Sequence, residues 1–390
     1  MTTTEKLQVR APWWRDVRVL RVVAQVAAIA ICGAVALLLW NNLVFNMRAA
    51  GIRTDLSFLF QPLGVDIAGS DISPGSPVWR GLLVGMKNTL ALVVVGIPIL
   101  TILGVIIGIG RLSTNWLVAK ICALYVEIVR NLPPLLLIYF MFNAVLLQLP
   151  DPVREGSIDL GWVVLNARFI AITGFTAGES FGLFWIVVGA AVIAGVIVAV
   201  WRTRRWEQTG QPHHRALWFL GIVAVVSAIA WFALGGPVGL SKPQVEGAVL
   251  QGGFMGFSSY FAVLIALAMY TASHVAEITR GSLLAVPKGQ TEAANSLALT
   301  AFQRLRFVTL PQAMRIAVPP IISQYLNFTK NTSLAIAIGY AELTRITFQA
   351  IGNGRPAPQM IAALMLGYLT FSLIISLLVN IANRRLQYVT

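Results

Sequence analysis

The stretch VPKGQTEAANSLALTAFQRLRFVTLPQAMRIAVPP, residues 286–320, differs in chemistry from the sequence on both sides of it. Its charged residues stand in a chain that is only 11% charged, and long apolar segments flank it. Because charged side chains are costly inside hydrocarbon, this stretch is predicted to lie outside a membrane that its neighbours cross. Its exposed position suits it to contact with another protein. The charged residues are Lys288, Glu292, Arg304, Arg306 and Arg315.

The chain as a whole has the composition of an integral membrane protein. Of its 390 residues 57% are hydrophobic, which is more apolar surface than a soluble domain folds inside itself. The apolar runs are continuous rather than alternating, which favours helices over a β-barrel. We therefore predict an all-α polytopic membrane protein with about eight transmembrane helices. The predicted spans are residues 22–40, 82–108, 117–148 (broken), 183–201, 216–234, 258–280, 318–338 and 360–382.

The net charge of +14 is distributed by the predicted side of the membrane. With the N-terminus inside, the inner segments carry 18 of the 29 basic residues and 4 of the 15 acidic ones, whereas the outer segments carry 8 and 9. The excess positive charge is therefore the positive-inside bias, and it gives no support for a nucleic-acid partner. The same distribution predicts that both termini are cytosolic.

No catalytic or metal site is predicted. Cys32 and Cys122 fall in apolar segments, and the pair His213 and His214 has no third ligand nearby. No predicted span combines His with carboxylates or Cys in a convincing way, which argues against a membrane-embedded enzyme. The basic tail, residues 1–21, contains tryptophans and suits the lipid headgroups of the inner leaflet.

Two pairs of opposite charges lie near the ends of predicted spans. Glu127 and Arg130 are three residues apart, just before a double proline that must break or kink the helix. Glu277 and Arg280 have the same spacing at the end of the span 258–280. An ionisable residue in a span marks either a pathway or a paired structural site. A structural pair is favoured over substrate contact for Glu127 and Arg130, and pairing that serves either gating or structure is expected for Glu277.

The stretch 286–320 is predicted to form two short helical arms. Residues 290–297 form the first arm. Thr300 and Gln303 have the spacing of a capping box, so Thr300 is predicted to cap a second helix that stops before Pro311. A helix, turn, helix unit on the inner face, with Glu292 on its first arm, is suited to docking.

These residues resemble the EAA loop of ABC importer permeases for polar amino acids, the histidine/glutamine family. The family pattern is Glu-Ala-Ala, three residues, Gly, nine residues, Ile, one residue and Leu-Pro. Val308 replaces the Ile, and Ala298 stands where the family has Gly. Because that Gly usually takes a positive φ, Ala298 predicts either a turn made by other residues or a tilted second arm. The matching positions are Glu292, Ala293, Ala294, Leu310 and Pro311.

The resemblance extends beyond the loop to the motifs around Tyr125, Ala276 and Lys330, and is closest to the enlarged Q-type permease of general L-amino-acid ABC transporters. It implies a type I ABC importer permease core of five spans, with additions, in the bacterial inner membrane. Four parts are predicted: a basic cytosolic tail, extra first span and outer loop (1–80), the first part of the core (81–150), an insertion with two extra spans (151–257), and the second part of the core with the EAA loop (258–390).

The resemblance also implies the partners of such a permease. The chain has no Gly-Lys-Ser/Thr of a phosphate-binding loop, so it is predicted to be a transport subunit rather than an enzyme. A separate ATPase dimer would bind ATP and Mg²⁺, dock under the EAA loop and drive transport, and no cofactor is expected in this chain. A second, related permease and a periplasmic amino-acid-binding protein would complete the importer.

The substrate path is predicted from a polar cluster inside the span 318–338. Lys330 would pair with the carboxylate of an amino acid, and Ser333 or a nearby carbonyl would accept from its ammonium group. A polar clamp between helices explains the same cluster equally well. The cluster comprises Lys330, Asn331, Thr332 and Ser333.

An ion-gradient-driven secondary amino-acid transporter is the main alternative. Such a protein needs buried carboxylates near the middle of its spans. Glu127 and Glu277 are the only acidic residues in predicted spans, and both lie near span ends. The sequence therefore favours the ATP-driven importer.

Overall fold

The structure is a computed structural model and describes Trp14 and residues 16–52, 54–209, 214–246 and 249–387. The predictions for residues 1–13 of the basic tail and for His213 lie outside the described residues. Within the described ranges the fold is mostly helical. The helices are α1 (Val17–Ala49), α2 (Val78–Gly110), α3 (Trp116–Asn131), α4 (Pro134–Phe140), α5 (Phe181–Thr209), α6 (Arg215–Ala233), α7 (Ser258–Leu284), α8 (Lys288–Ser296), α9 (Ala301–Arg304), α10 (Leu310–Asn331), α11 (Leu343–Gly352) and α12 (Ala357–Gln387).

Six of the described helices are long and apolar enough to cross a membrane: α1, α2, α5, α6, α7 and α12. The count is seven if α3 and the segment Pro134–Gln148 are taken as one span, although they are bent by 104° at the predicted double proline. The predicted eighth span, 318–338, falls on α10 and the 3-10 helix Thr332–Ile338. It is not among the candidates because its polar residues lower the hydropathy, so the count of eight is not confirmed.

The described residues of the predicted outer loops 151–182 and 235–257 contain eight short strands, which add a small β region to the mostly helical fold. Strands β1, β2, β3 and β8 form a four-stranded antiparallel sheet, in which Ile170 of β3 lies opposite Gly256 of β8. The pairs β4–β5 and β6–β7 form two-stranded ribbons. The strands are β1 (Ile158–Asp159), β2 (Val163–Leu165), β3 (Phe169–Ile172), β4 (Gly174–Ala177), β5 (Val238–Ser241), β6 (Gln244–Glu246), β7 (Val249–Gln251) and β8 (Phe254–Phe257).

The sheet closes the predicted insertion at its base. Pairing of β3 with β8 joins the start of the insertion to its end, immediately before α7. Asp151 lies 3.4 Å from Arg168 at this base, and a hydrogen bond from the Val153 amide together with Arg168 lowers the pKa of the Asp151 carboxyl. The helices α5 and α6 form a hairpin between the two halves of this strand region.

Packing divides the chain into two compact units. The larger comprises Val84–Arg345 and the residues from Leu366 onward, and α7 is at its centre. Helices α3, α4 and α10 all pack against α7, which buries much of its surface because its packed face is built of small and aliphatic residues. Tyr125 of α3 donates a hydrogen bond of 2.7 Å to the Met269 carbonyl of α7, and Thr101 of α2 lies 2.8 Å from the Tyr325 hydroxyl of α10.

Three glycines let α2 approach its neighbours closely. A Cβ at Gly96 would lie 2.2 Å from the Phe328 ring, and one at Gly104 would lie 2.6 Å from Val275 Cβ. At Gly108 it would lie 2.6 Å from the Ala276 carbonyl oxygen. The absence of side chains therefore allows α2 to pack closely on α10 at Gly96 and on α7 at Gly104 and Gly108.

The smaller unit comprises residues up to Leu83 together with Ile346–Met365. Its loop between α1 and α2 packs under Gly81, where Leu63 is fully buried, and Arg355 hydrogen-bonds to the Gln61 side chain. Gln61 and Gly64 of this loop thus contact residues that follow them in sequence by almost 300 positions. In helix α1, no residue of the most apolar window is buried by other parts of the chain that the structure describes.

Candidate functional site

The stretch 286–320 folds into the predicted helix, turn, helix unit. Helix α8 forms the first arm, and Ala298 takes a left-handed conformation with φ +52 directly after it. The Leu299 amide bonds to the Ala294 carbonyl at 3.2 Å and the Ala298 amide to the Asn295 carbonyl at 2.9 Å, which is the pattern of a Schellman motif. Ala298 itself therefore makes the turn usually made by Gly, so the predicted turn made by other residues is wrong, whereas the tilt of the second arm stays a prediction.

The predicted capping box at the second arm is confirmed. The Gln303 amide donates to Thr300 Oγ1 at 3.3 Å, and the Thr300 amide donates to Gln303 Oε1 at 2.9 Å. Helix α9 is only one turn long, and a π-helical segment, Leu305–Thr309, continues it into α10. The second arm therefore continues without a break into the first part of α10, so the predicted end of this helix before Pro311 is wrong.

Hydrogen bonds between side chains hold the two arms together. Arg304 Nη1 donates to Asn295 Oδ1 at 2.7 Å, and Gln312 Nε2 donates to Gln290 Oε1 at 3.1 Å. Ala294 is only 2% exposed, whereas Glu292 is exposed. Among the predicted coupling residues, Ala294 therefore belongs to the interior of the loop, and the others lie on its surface: Glu292, Ala293, Ala298, Leu310 and Pro311.

The loop also presents large apolar side chains that no sequence motif indicated. Leu297 is 75% exposed and Phe302 is 66% exposed, next to the turn at Ala298. Phe307 is 64% exposed and carries the Arg306 guanidinium 5.6 Å from its ring. Apolar side chains on a polar segment outside the candidate spans are typical of a protein-binding surface. We call Leu297, Phe302 and Phe307 the apolar rim of the loop.

A three-residue ion cluster lies near the end of α7 from which the loop begins. Arg280 donates to Glu277 Oε1 at 2.7 Å, and Arg111, directly after α2, donates to Glu277 Oε2. The pairing expected for Glu277 is thus present, with an additional partner, Arg111, that sequence separation concealed. The cluster links the C-terminal end of α2 to α7, beyond the last of the three glycine contacts.

Comparison with known proteins decides what kind of protein carries this loop. Residues 190–388 match the model of the family described as binding-protein-dependent transport system inner membrane component. The chain belongs to this family. It is therefore a permease of the inner membrane, and the family description itself names a binding protein as the partner on which transport depends.

Relatives of the permease match it over nearly its whole length. It is 37% identical to the general L-amino acid transport system permease protein AapQ of Rhizobium johnstonii over 90% of this chain and 88% of the relative. It is 36% identical to the putative amino-acid ABC transporter permease protein YhdX of Escherichia coli over 93% of both chains. It is 34% identical to the glutamate/glutamine/aspartate/asparagine transport system permease protein BztB of Rhodobacter capsulatus over 95% of both.

Glu127 and Arg130 of the permease do not pair. Both side chains are exposed on α3, and no ion pair joins them in the fully described α3. Instead, the Asn131 side chain donates to the Glu127 carbonyl at 2.7 Å. The expected structural pair is therefore corrected: an exposed pair at this spacing gains too little to hold two long side chains in one geometry.

The predicted polar cluster at the C-terminal end of α10 is divided between two environments. Lys330 is exposed, but Thr332 is fully buried and donates to the Thr329 carbonyl at 2.7 Å. Ser333 donates to the Lys330 carbonyl at 2.8 Å, and Asn331 is half-buried. The side chains do not converge on one point, so of the four only Lys330 projects fully from the packed surface of the chain.

Glu342 is a fully buried carboxylate that the sequence analysis placed among the outer charges. It precedes α11 and accepts hydrogen bonds of 2.8 Å from the amides of Thr344 and Arg345, so it caps that helix. Tyr368 of α12 donates to it at 2.9 Å. Nearby, Asn88 of α2 donates to the Ala341 carbonyl at 2.7 Å. The only indication of this cap in the sequence was an acidic residue directly before the start of a helix.

Proposed function

We propose that this permease is a subunit of an ATP-driven amino-acid importer and that the loop 286–320 couples it to a separate ATPase. The observation that carries the proposal is the preformed helix, turn, helix unit with its exposed apolar rim. The unit is held by its own capping box and by the Arg304–Asn295 bond, so it presents a fixed shape to a partner. The relatives, which are named as amino-acid permeases, support the substrate class.

The energy source would belong to the partner. ATP and Mg²⁺ would be bound by an ATPase dimer, since the sequence contains no phosphate-binding loop. The ATPase is cytosolic in this scheme, which requires the loop and both termini to face the cytosol, as the charge distribution predicts. Closure of the ATPase dimer would move the two arms together with α10, because the second arm continues into that helix.

A second permease would complete the translocation path. Ser323, Asn327 and Lys330 follow one another at helical spacing on α10, and all three are exposed. Polar side chains that this chain leaves uncovered are costly against lipid, so a second permease and a hydrated path between the two subunits are the favourable neighbours. Lys330 would then be available to the substrate carboxylate.

Uptake by proteoliposomes tests the proposal. We expect labelled glutamate or glutamine to accumulate only when the permease is reconstituted with its ATPase, second permease and binding protein, with ATP on the loop side. The permease reconstituted alone under an imposed proton or sodium gradient serves as the comparison. Uptake by the permease alone would contradict the proposal and support an ion-gradient-driven transporter.

A further inference from the structure

The hairpin α5–α6 forms a separate apolar feature of the permease. Its helices pack on each other, with Phe184 and Trp231 rings 5.9 Å apart at one end and Phe219 against Gly195 towards the other. Its outward residues are exposed, among them Ile197 at 63% and Leu217 at 68%. The described part of the chain therefore leaves these faces for the membrane or for a partner.

An apolar groove runs along α6 from its basic end. Gly221 forms its floor, because no atom lies within 4 Å of the position of an added Cβ. The groove is open along one side and has a volume of about 450 Å³. Ten residues of helix extend about 15 Å, which accommodates most of a fatty acyl chain. The residues lining the groove are Leu217, Trp218, Gly221, Ile222, Val225 and Val226.

Arginines and tryptophans surround the same end of the hairpin. The Arg202 guanidinium carbon lies 4.9 Å from the ring centre of Trp218, which also lines the groove. Arg205 stacks in the same way on Trp201 at 4.8 Å, and Arg215 begins α6. Stacking on Trp218 holds the Arg202 guanidinium beside the groove, and Arg205 lies one turn further along α5. Arg is the residue best suited to bidentate phosphate binding.

We propose that this end of the hairpin binds an anionic phospholipid, with its phosphate on the arginines and one acyl chain in the Gly221 groove. Charge complementarity selects this occupant: residues 180–241 contain four arginines and a single acidic residue, Glu207. A zwitterionic lipid would fill the groove without matching this charge, and an apolar protein helix would not match the arginines. The basic end would lie at the cytosolic leaflet, where anionic headgroups attract juxtamembrane basic residues.

Native mass spectrometry of the purified importer tests both halves of the site. The protein is incubated with phosphatidylglycerol or with phosphatidylcholine of the same chains, and retained lipid is counted. We expect phosphatidylglycerol to be retained preferentially, and Arg202→Gln with Arg205→Gln to reduce its retention about tenfold or more. Arg154→Gln, which removes an exposed arginine in the strand region, is the charge control and should leave retention unchanged.

The groove is tested separately by filling it. Gly221→Leu should lower retention, whereas Gly189→Leu, at an equally open glycine on α5, should not. Inorganic phosphate at millimolar concentration should not displace the lipid if the acyl chain contributes to binding. Equal retention of the two lipids by the unaltered protein would overturn the proposal. So would loss of a copurifying subunit, with unchanged lipid retention, in Gly221→Leu.

Discussion

Arg304 on the second arm of the loop 286–320 donates a 2.7 Å hydrogen bond to Asn295 on the first arm. The bond spans the left-handed turn at Ala298, and both residues are within a few positions of the exposed apolar rim. The two arms are therefore fixed relative to each other before any partner binds. A preorganised surface loses less conformational entropy on binding, which suits a loop that transmits movement.

The left-handed turn predicts an unusual stabilising substitution. An Ala at φ +52 is strained relative to Gly, so Ala298→Gly should stabilise the loop by about 0.5–1 kcal/mol. Hydrogen exchange of the Leu299 amide, which bonds across the turn, should become slower. Ala301→Gly, in the first turn of α9, should accelerate exchange in the second arm. Faster exchange at Leu299 in Ala298→Gly would contradict a strained turn.

Substitutions at Ala294 and Glu292 should impair the permease in different ways. Ala294 is buried in the loop, whereas Glu292 is exposed. Ala294→Asp places a charge between the arms and should open the loop to limited proteolysis as well as abolish ATP-driven uptake. Glu292→Lys should leave the loop resistant to protease but reduce uptake. If both variants keep normal uptake, the loop does not couple the permease to its energy source.

Close packing of α2 on α7 should make Gly104 intolerant of any side chain. A Cβ there lies 2.6 Å from Val275 Cβ and 2.9 Å from the Ala272 carbonyl oxygen, so Gly104→Ala forces the helices apart. We expect a loss of about 1–3 kcal/mol, seen as a lower midpoint of thermal unfolding in detergent. Gly189→Ala is the matched control and should unfold near the temperature of the unaltered protein. Equal midpoints for the two variants would contradict the packing.

Lys330 should affect transport rather than folding, because its side chain is exposed. If it meets the substrate carboxylate, Lys330→Met should reduce ATP-driven uptake about tenfold while the thermal midpoint stays unchanged. Lys120→Met, at another lysine outside the core of the fold, should retain normal uptake. Unchanged substrate affinity and rate in Lys330→Met would exclude the substrate role.

The local signals in the sequence were sufficient for the loop and for much of the helical core. Thr300 and Gln303 have the spacing of a capping box, and the structure contains that box. The double proline Pro133-Pro134 was predicted to break or kink the helix, and the chain bends by 104° there. Each of these features depends on residues that are close together in the sequence, so a local motif is enough to predict it.

The features that sequence reasoning missed depend on distant pairing. Strands β3 and β8 are only four residues each, and more than 80 residues separate them, so neither alternation nor a short turn marks them. In the sequence, Glu342 has the appearance of a solvated charge in a loop. Only the fold shows that Tyr368 of α12 donates a hydrogen bond to it. Ala298 was expected to avoid a positive φ because Ala rarely adopts one. The surrounding Schellman bonds and the capping box impose it here.

Copurification of the ATPase with a variant of the apolar rim tests the coupling role of the loop most directly. Phe302→Asp places a charge on the rim, and Phe175→Asp makes the same change at an 80% exposed residue of β4. We expect the ATPase to be lost from Phe302→Asp and retained by the unaltered permease and by Phe175→Asp. Retention of the ATPase by Phe302→Asp, with normal ATP-driven uptake, would contradict the claim that this loop is the docking site.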